Sequence, residues 1–394
     1  MTNIYIADGA RTPMGGFQGA LQTKTAPELG AIAISEAIAR AGIAADKIDE
    51  IIMGCVLPAG LGQGPARQAA IEAGIPVESG ATTINKLCGS GMKAAMMAHD
   101  LIKAGSNEIM VAGGMESMSN APYLMPKART GYRMGHTEVK DSMFLDGLED
   151  AKTGRLMGSF AQDMADQYQM TREDMDGFAI RSLKRAQKAI DAGHLKAESV
   201  SITIKSRAGE TIVEDDEQPG AAKIDKISSL KPAFKADGTV TAANSSSISD
   251  GASALVIASE EAIAQNGMTP MAKILGHTTN SRHPSEFTIA PIGAIEKLLD
   301  KVGWSAEEVD LFEINEAFAM VTMAAIKDLG LDPEKVNISG GACAQGHPVG
   351  STGSRIIVTL MYALKRLNLK KGVAALCIGA VSYTHLTLPT IYSV

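Results

Sequence analysis

Ala41-Gly42-Ile43-Ala44-Ala45-Asp46-Lys47-Ile48-Asp49-Glu50-Ile51-Ile52-Met53-Gly54 returns, altered but in step, as Val302-Gly303-Trp304-Ser305-Ala306-Glu307-Glu308-Val309-Asp310-Leu311-Phe312-Glu313-Ile314-Asn315. Each copy reads as a helix end, a glycine stop, a short acidic turn and a strand. Cys88 follows Gly42 by 46 positions and His347 follows Gly303 by 44, so the two occupy the same place in each copy. Behind each comes a helical pattern, 92–102 or 356–367, and then an apolar strand, 108–112 or 373–377. The chain is an internal duplication. Alternating strands and helices predict an α/β protein with a mostly parallel sheet in each half and functional loops at the strand C-termini. Two halves packed face to face would bring Cys88 and His347 together across a pseudo-twofold axis.

The turns themselves carry the chemistry. In Asn85-Lys86-Leu87-Cys88-Gly89-Ser90-Gly91 the glycines let the backbone turn sharply and leave a thiol exposed at a helix start, where the dipole and free N–H groups favour a thiolate. A lone cysteine is ordinarily a small buried hydrophobe. Gly346-His347-Pro348 supplies the base that changes this reading, in a glycine-rich turn where nothing structural requires an imidazole. Cys377 ends an apolar run just before Ile378-Gly379, and Asn315-Glu316-Ala317-Phe318-Ala319 follows the strand-like run 309–314. Cys343 matches no such position and reads as packing, Cys55 stays unassigned, and His277 and His283 read as surface or structural histidines.

Composition bounds the rest. At 394 residues the chain exceeds the size of one growing core, and 45% hydrophobic residues supply ample interior. A net charge of −7 argues against a general polyanion binder, so nucleic acid is not an expected partner. The four cysteines show neither C-x-x-C pairing nor regular spacing, which supports neither a zinc site nor a disulfide framework and suggests a reducing compartment. With no basic-apolar leader at the N-terminus and no apolar run of about 18 residues, a cytoplasmic protein without a membrane span is expected.

N-K-L-C-G-S-G, N-E-A-F-A, G-H-P-V-G and L-C-I-G, in this order, resemble the four signature segments of the thiolases, and the resemblance runs from residue 1 to about Gly379. It includes the opening A-D-G-A-R-T-P and the block 240–252. It implies a five-layer αβαβα core with an inserted loop domain: 1–118 plus about 249–268 as the first half, 119–248 as the insertion, and 269–380 as the second half. It also implies a transferase of fatty acid metabolism that condenses two acetyl-CoA molecules reversibly to acetoacetyl-CoA and coenzyme A. Cys88 would carry the acyl group, His347 would take its proton, Cys377 would move the α-proton, Asn315 would hold a water, and the amides of Cys88 and Gly379 would cradle the oxyanion. Ser246 would bond the pantetheine, while Leu148, Met157, Phe234, Ala242, Ala317 and Phe318 would line the pantetheine and acyl tunnel. The resemblance implies a homodimer or homotetramer, no metal, and no cofactor besides coenzyme A as substrate and product. A degradative 3-ketoacyl-CoA thiolase for longer chains is the alternative enzyme, and a non-catalytic CoA- or lipid-binding protein is the alternative of another class.

Several segments depart from the pattern. The basic turn-rich stretch 122–136, with Lys127, Arg129 and Arg133, reads either as a solvated face or as a loop that attracts CoA phosphates or assembles a tetramer. Thr171 with Asp174 makes a near capping box for an amphipathic helix. Gly154-Arg155-Leu156-Met157 lacks the histidine common in biosynthetic members, giving an apolar wall, and the arginine that often stacks on adenine is missing near Gln218. Finally, 381–390 back-translates to a run resembling a transposon-type sequencing adaptor, so 381–394 is expected to be a non-native tail. The natural last strand is expected to be lost and the chain poorly folded or weakly active, with 386–392 able to occupy the strand slot by hydrophobic pattern alone.

Overall fold

The computed structural model describes residues 2–207 and 209–379 and the backbone of Thr384–Pro389. In the first half, β1 (Ile4–Arg11), α1 (Ala26–Ala41), β2 (Glu50–Gly54), α2 (Pro65–Glu72), β3 (Gly80–Ile84), α3 (Ser90–Lys103) and β4 (Ile109–Ser117) follow one another. After the insertion, with α4 (Met157–Gln167) and α5 (Arg172–Asp191), β5 (Ser249–Ser259) returns to the same sheet. The second half contains β6 (Gly276–Thr278), α6 (Ala290–Val302), β7 (Leu311–Ile314), α7 (Ala319–Leu329), α8 (Thr352–Leu367), β8 (Lys371–Leu376) and β9 (Thr384–Pro389). Helix starts and stops follow local chemistry. Thr25 and Glu28 form a complete capping box on α1, as do Thr171 and Asp174 on α5, and Gly42 and Gly303 end α1 and α6 with φ of 69° and 71°.

The two sheets repeat one topology. The first runs β1-β5-β4-β2-β3, with β2, β3 and β4 parallel and β5 antiparallel to both its neighbours. The second runs β6-β9-β8-β7, with β7 and β8 parallel and β9 antiparallel to both neighbours. Where the first sheet has β3, the second keeps, among the described residues, a single parallel bridge from Phe312 to Val336. The duplication in the sequence is therefore a duplication of strand order.

Strand side chains alternate between layers, which is why these runs are apolar throughout. Ile51, Met53 and Val111 join Leu29, Ala33 and Ile34 of α1 under the outer face of the first sheet. Ile52 and Met110 face inward, where Met92 and Met96 of α3 and Ile356 and Leu360 of α8 fill the space up to Ala374 and Leu376 of the second sheet. Val373 and Ala375 point the other way, toward Ile295 and Leu298 of α6 and Val321 of α7. Helices, sheet, paired helices, sheet and helices make the five layers.

The insertion is tied down through charge. Arg11, buried at the end of β1, pairs with Glu198 and Asp216 of the insertion, each at 2.6 Å. Because all three are desolvated, loss of Arg11 would leave two uncompensated carboxylates, a defect of roughly 3–5 kcal/mol. The expected non-native tail 381–394 lies outside the described residues, apart from the backbone of Thr384–Pro389, which occupies the slot between β6 and β8.

Candidate active site

Cys88 is placed by a turn that uses its neighbours' side chains. Asn85 Oδ1 accepts the Leu87 N–H at 2.9 Å, and Ser90 Oγ accepts the Lys86 N–H at 2.8 Å while donating to the Leu87 carbonyl at 2.7 Å. Leu87 takes a left-handed φ of 48°, and α3 begins two residues after Cys88 with Gly89 as its cap. The thiol is not the exposed thiolate expected from the sequence. Cys88 is half-buried, and burial pushes its thiol up to about 11, outweighing the N–H groups of Gly379 and of Cys88 itself that bond to the sulfur. A thiol held this high needs a neighbouring base to lose its proton. The two amides nonetheless converge on one sulfur.

His347 sits in the facing turn, its N–H within 3.2 Å of the Ser247 carbonyl and of Ser249 Oγ. Its Nδ1 lies 2.6 Å from Thr352 Oγ1, and that hydroxyl donates to the Pro348 carbonyl at 3.0 Å. A hydroxyl has one proton to give, so Nδ1 must be the donor, and Nε2 is left as the basic nitrogen. Nε2 is buried with no hydrogen-bond partner among the described residues. Burial, with a lesser contribution from Arg355, lowers the imidazole to about 3, so the ring is neutral at physiological pH.

The turns meet through glycines. A Cβ at Gly91 would lie 2.8 Å from the Ser354 amide nitrogen, and one at Gly353 would lie 2.8 Å from Met92 Cβ, so the first turns of α3 and α8 touch backbone to backbone. Buried Glu116, at the end of β4, accepts N–H bonds from Val56 and Leu57 after β2 and from Gly350 of the histidine turn, at 2.9, 3.1 and 2.9 Å. Burial raises this carboxyl to about 7 against the pull of those amides. Glu116 thus joins both halves. Its only sequence signal was one acid inside an apolar run, and Thr352 was equally silent.

Cys377 lies just beyond β8, fully buried, its thiol raised well above the usual range by burial and then by the neighbouring Cys88. Asn315 follows β7, and its N–H donates to the Ala375 carbonyl at 2.9 Å. Both polar atoms of its buried amide lack partners among the described residues, and a buried unsatisfied amide calls for a water or a ligand.

The tunnel residues fall into three groups. Leu148 packs with Cys88 against Val56, Leu57 and Val349, while Met157 Sδ would lie 3.1 Å from a Cβ at Gly379. Phe234 and Phe318 stack edge to face at 6.2 Å, and buried Ala317 accepts the Ser246 N–H at 3.0 Å. Ala242 lines a cavity of about 290 Å³ with Ser247, Gln218, Lys223, Lys226 and Cys343. Cys343 is therefore not simply packing: half-buried, it borders the cavity, held by Glu316, whose Oε2 accepts its N–H at 3.2 Å and whose carbonyl accepts from its thiol at 3.5 Å. The cations lining the cavity are Lys223 and Lys226, whereas Lys127, Arg129 and Arg133 are exposed elsewhere.

A thiol under two amides, a second buried thiol and a neutral imidazole lie at the seam of a duplicated five-layer fold, the α/β architecture of an acyltransferase. Residues 4–261 match the family model for the N-terminal domain of thiolase and residues 268–388 that for its C-terminal domain; the chain belongs to the thiolase family. It is 46% identical over 390 residues to an acetyl-CoA acetyltransferase of Pseudomonas aeruginosa, covering 98% of this chain and 99% of that one. It is 47% identical over 380 residues to an acetyl-CoA acetyltransferase of Schizosaccharomyces pombe, covering 96% of each. Among solved structures, an acetyl-CoA acetyltransferase of Bacillus anthracis superposes with a TM-score of 0.97 at 42% identity, covering 99% of both chains. A thiolase of Ascaris suum in complex with coenzyme A gives 0.93 at 40% identity, covering 99% of this chain and 100% of that one.

Proposed function

We propose that the chain catalyses the reversible thioester Claisen condensation of two acetyl-CoA molecules to acetoacetyl-CoA and coenzyme A. The observation that carries this reading is the convergence of the Cys88 and Gly379 amides on the Cys88 sulfur. A thioester carbonyl attacked by that sulfur develops its negative charge beside both donors. His347 Nε2 takes the Cys88 proton as the sulfur adds to the carbonyl carbon, and returns it to the departing CoA thiolate, leaving an acetyl-enzyme. Cys377 then passes its thiol proton to His347 and, as the thiolate, takes an α-proton from a second acetyl-CoA. Its enolate oxygen is held by protonated His347 and by a water on Asn315, and the new carbon–carbon bond expels the Cys88 thiolate, which regains its proton from His347. Every step balances using these side chains and amides, with coenzyme A as substrate and product and no further cofactor.

The pantetheine and acyl arm would run past Ser246, Ala317, Phe318, Phe234, Met157 and Leu148, with the nucleotide end toward Ala242 and the lysines of the cavity. Longer 3-ketoacyl substrates are the alternative, separated by comparing rates on acetoacetyl-CoA and 3-ketohexanoyl-CoA. We place the enzyme in the cytoplasm as a homodimer or homotetramer; no helix among the described residues is long and apolar enough to cross a membrane. Incubation with acetyl-CoA followed by peptide mapping should find the acetyl group on Cys88. Acetylation at another residue with Cys88 free would overturn the assignment.

A further inference from the structure

Away from the reactive turns, α3 and β6 bring three metal-ligand side chains together where the two halves meet. His99 Nδ1 lies 2.9 Å from Asp100 Oδ1, and His277 Nε2 lies 2.8 Å from the same oxygen. The two rings stand edge to face with centroids 5.0 Å apart, and one ligand atom from each of the three residues lies within 4.8 Å of the others. His99 is buried, His277 half-buried and Asp100 exposed, so the cluster is walled on one side and open on the other. Successive residues of a helix point about 100° apart, yet His99 and Asp100 turn toward one point on β6. The two imidazoles already converge on one carboxylate oxygen, which is the set of donors that a transition metal takes.

We propose that His99, Asp100 and His277 form a binding site for a divalent transition-metal ion of the zinc class, which fastens α3 of the first half to β6 of the second. Two imidazole nitrogens and one carboxylate oxygen suit zinc, cobalt or nickel rather than magnesium or calcium, and three protein ligands leave a fourth position for water. The present contacts need to open only to the roughly 3.3 Å that separates ligands on a tetrahedron with bonds of about 2.0–2.1 Å. Proton accounting is simple. Each neutral ring shifts its proton to the other nitrogen, His99 to Nε2 and His277 to Nδ1, and the metal takes the vacated lone pair without releasing a proton. Burial lowers both imidazoles, helped by Lys103 and Lys301 for His99 and by Lys301 for His277, so both rings are neutral at physiological pH. Burial works against the Asp100 charge, but the hydrogen bonds from His99 and His277 outweigh it and keep the carboxyl ionised. Lys301, whose ammonium donates to the His277 carbonyl at 3.0 Å, opposes a dication and limits the affinity.

The test is a Co²⁺ titration of the full chain after treatment with a chelator. Visible d–d absorption reports binding, and near-ultraviolet sulfur-to-cobalt charge transfer reports any capture by Cys88 or Cys377 instead. The expected result is saturation at one Co²⁺ per chain without a sulfur band, displacement by Zn²⁺, and a melting temperature that rises with Zn²⁺ concentration. His277→Gln and Asp100→Asn should each weaken binding at least ~100-fold and remove the rise of melting temperature with Zn²⁺, while the metal-free circular dichroism stays as in the parent and the metal-free melting temperature falls only by the weakened bridge. Absence of Co²⁺ binding, a sulfur charge-transfer band as the sole signal, or unchanged affinity in both variants would each overturn the proposal and leave the cluster a hydrogen-bonded bridge.

Discussion

Thr352 decides which nitrogen of His347 can accept a proton. Its hydroxyl is committed to Pro348 and so fixes the ring tautomer. Thr352→Val should lose part of the ~10²–10⁴-fold that a positioned base supplies, appearing in kcat with little change in KM for acetyl-CoA. An unchanged kcat would show that another group holds the ring. Cys377→Ala is expected to form the acetyl-enzyme at the parental rate, read by single-turnover release of coenzyme A, but to make no acetoacetyl-CoA. Condensation at the parental rate would remove Cys377 from the second half-reaction. Cys88 and His347 stand out in the sequence as candidates because each sits in a glycine turn where packing asks for no such side chain, whereas Cys377 and Asn315, at strand ends, stand out only through the resemblance to the thiolases. Glu116 was not. A single acid within an apolar run looks the same whether it bridges two turns or meets a buried arginine, and only the fold shows three amides aimed at it.

At the scale of elements, caps were more legible than strands. Gly42, Thr171 and Gly303 mark helix ends with local chemistry, whereas strand length depends on partners far away in sequence. The predicted strand 108–112 becomes β4, which continues to Ser117 because β5 pairs along its whole length. Gly113 and Gly114 within it have no side chain to announce a strand. They are needed because Ser253 and Gly350 approach too closely for any Cβ. The same economy governs the contact of α3 with α8. Gly353→Ala should push Met92 away and cost about 1–3 kcal/mol, read as a lower melting temperature and a misplaced His347 turn with reduced kcat. A variant as stable and active as the parent would mean that the helices can separate freely.

Across the whole molecule, buried acids set the response to pH. Burial raises Glu313 on β7 to about 8, only partly countered by Arg355. A carboxyl whose folded pKa is raised contributes stability that is complete below its ordinary range near 4.5 and is lost as pH climbs through about 8. His347 acts in the opposite sense, but only below the ordinary imidazole range of about 6.5. Between about pH 6.5 and 8 the melting temperature should therefore fall, and Glu313→Gln, neutral throughout, should flatten that slope. An identical slope in the variant would show that Glu313 is already ionised. The placement of β5 bears on a different matter, the order in which a nascent chain acquires structure. β1 and β4 both pair with β5, which is made only after the entire insertion has left the ribosome. Until then β1 has no antiparallel neighbour to join, and β4 presents a bare edge to any passing strand. The first half cannot close while it is being synthesised, so the interval between residues 117 and 249 is the period in which a holding chaperone would matter most.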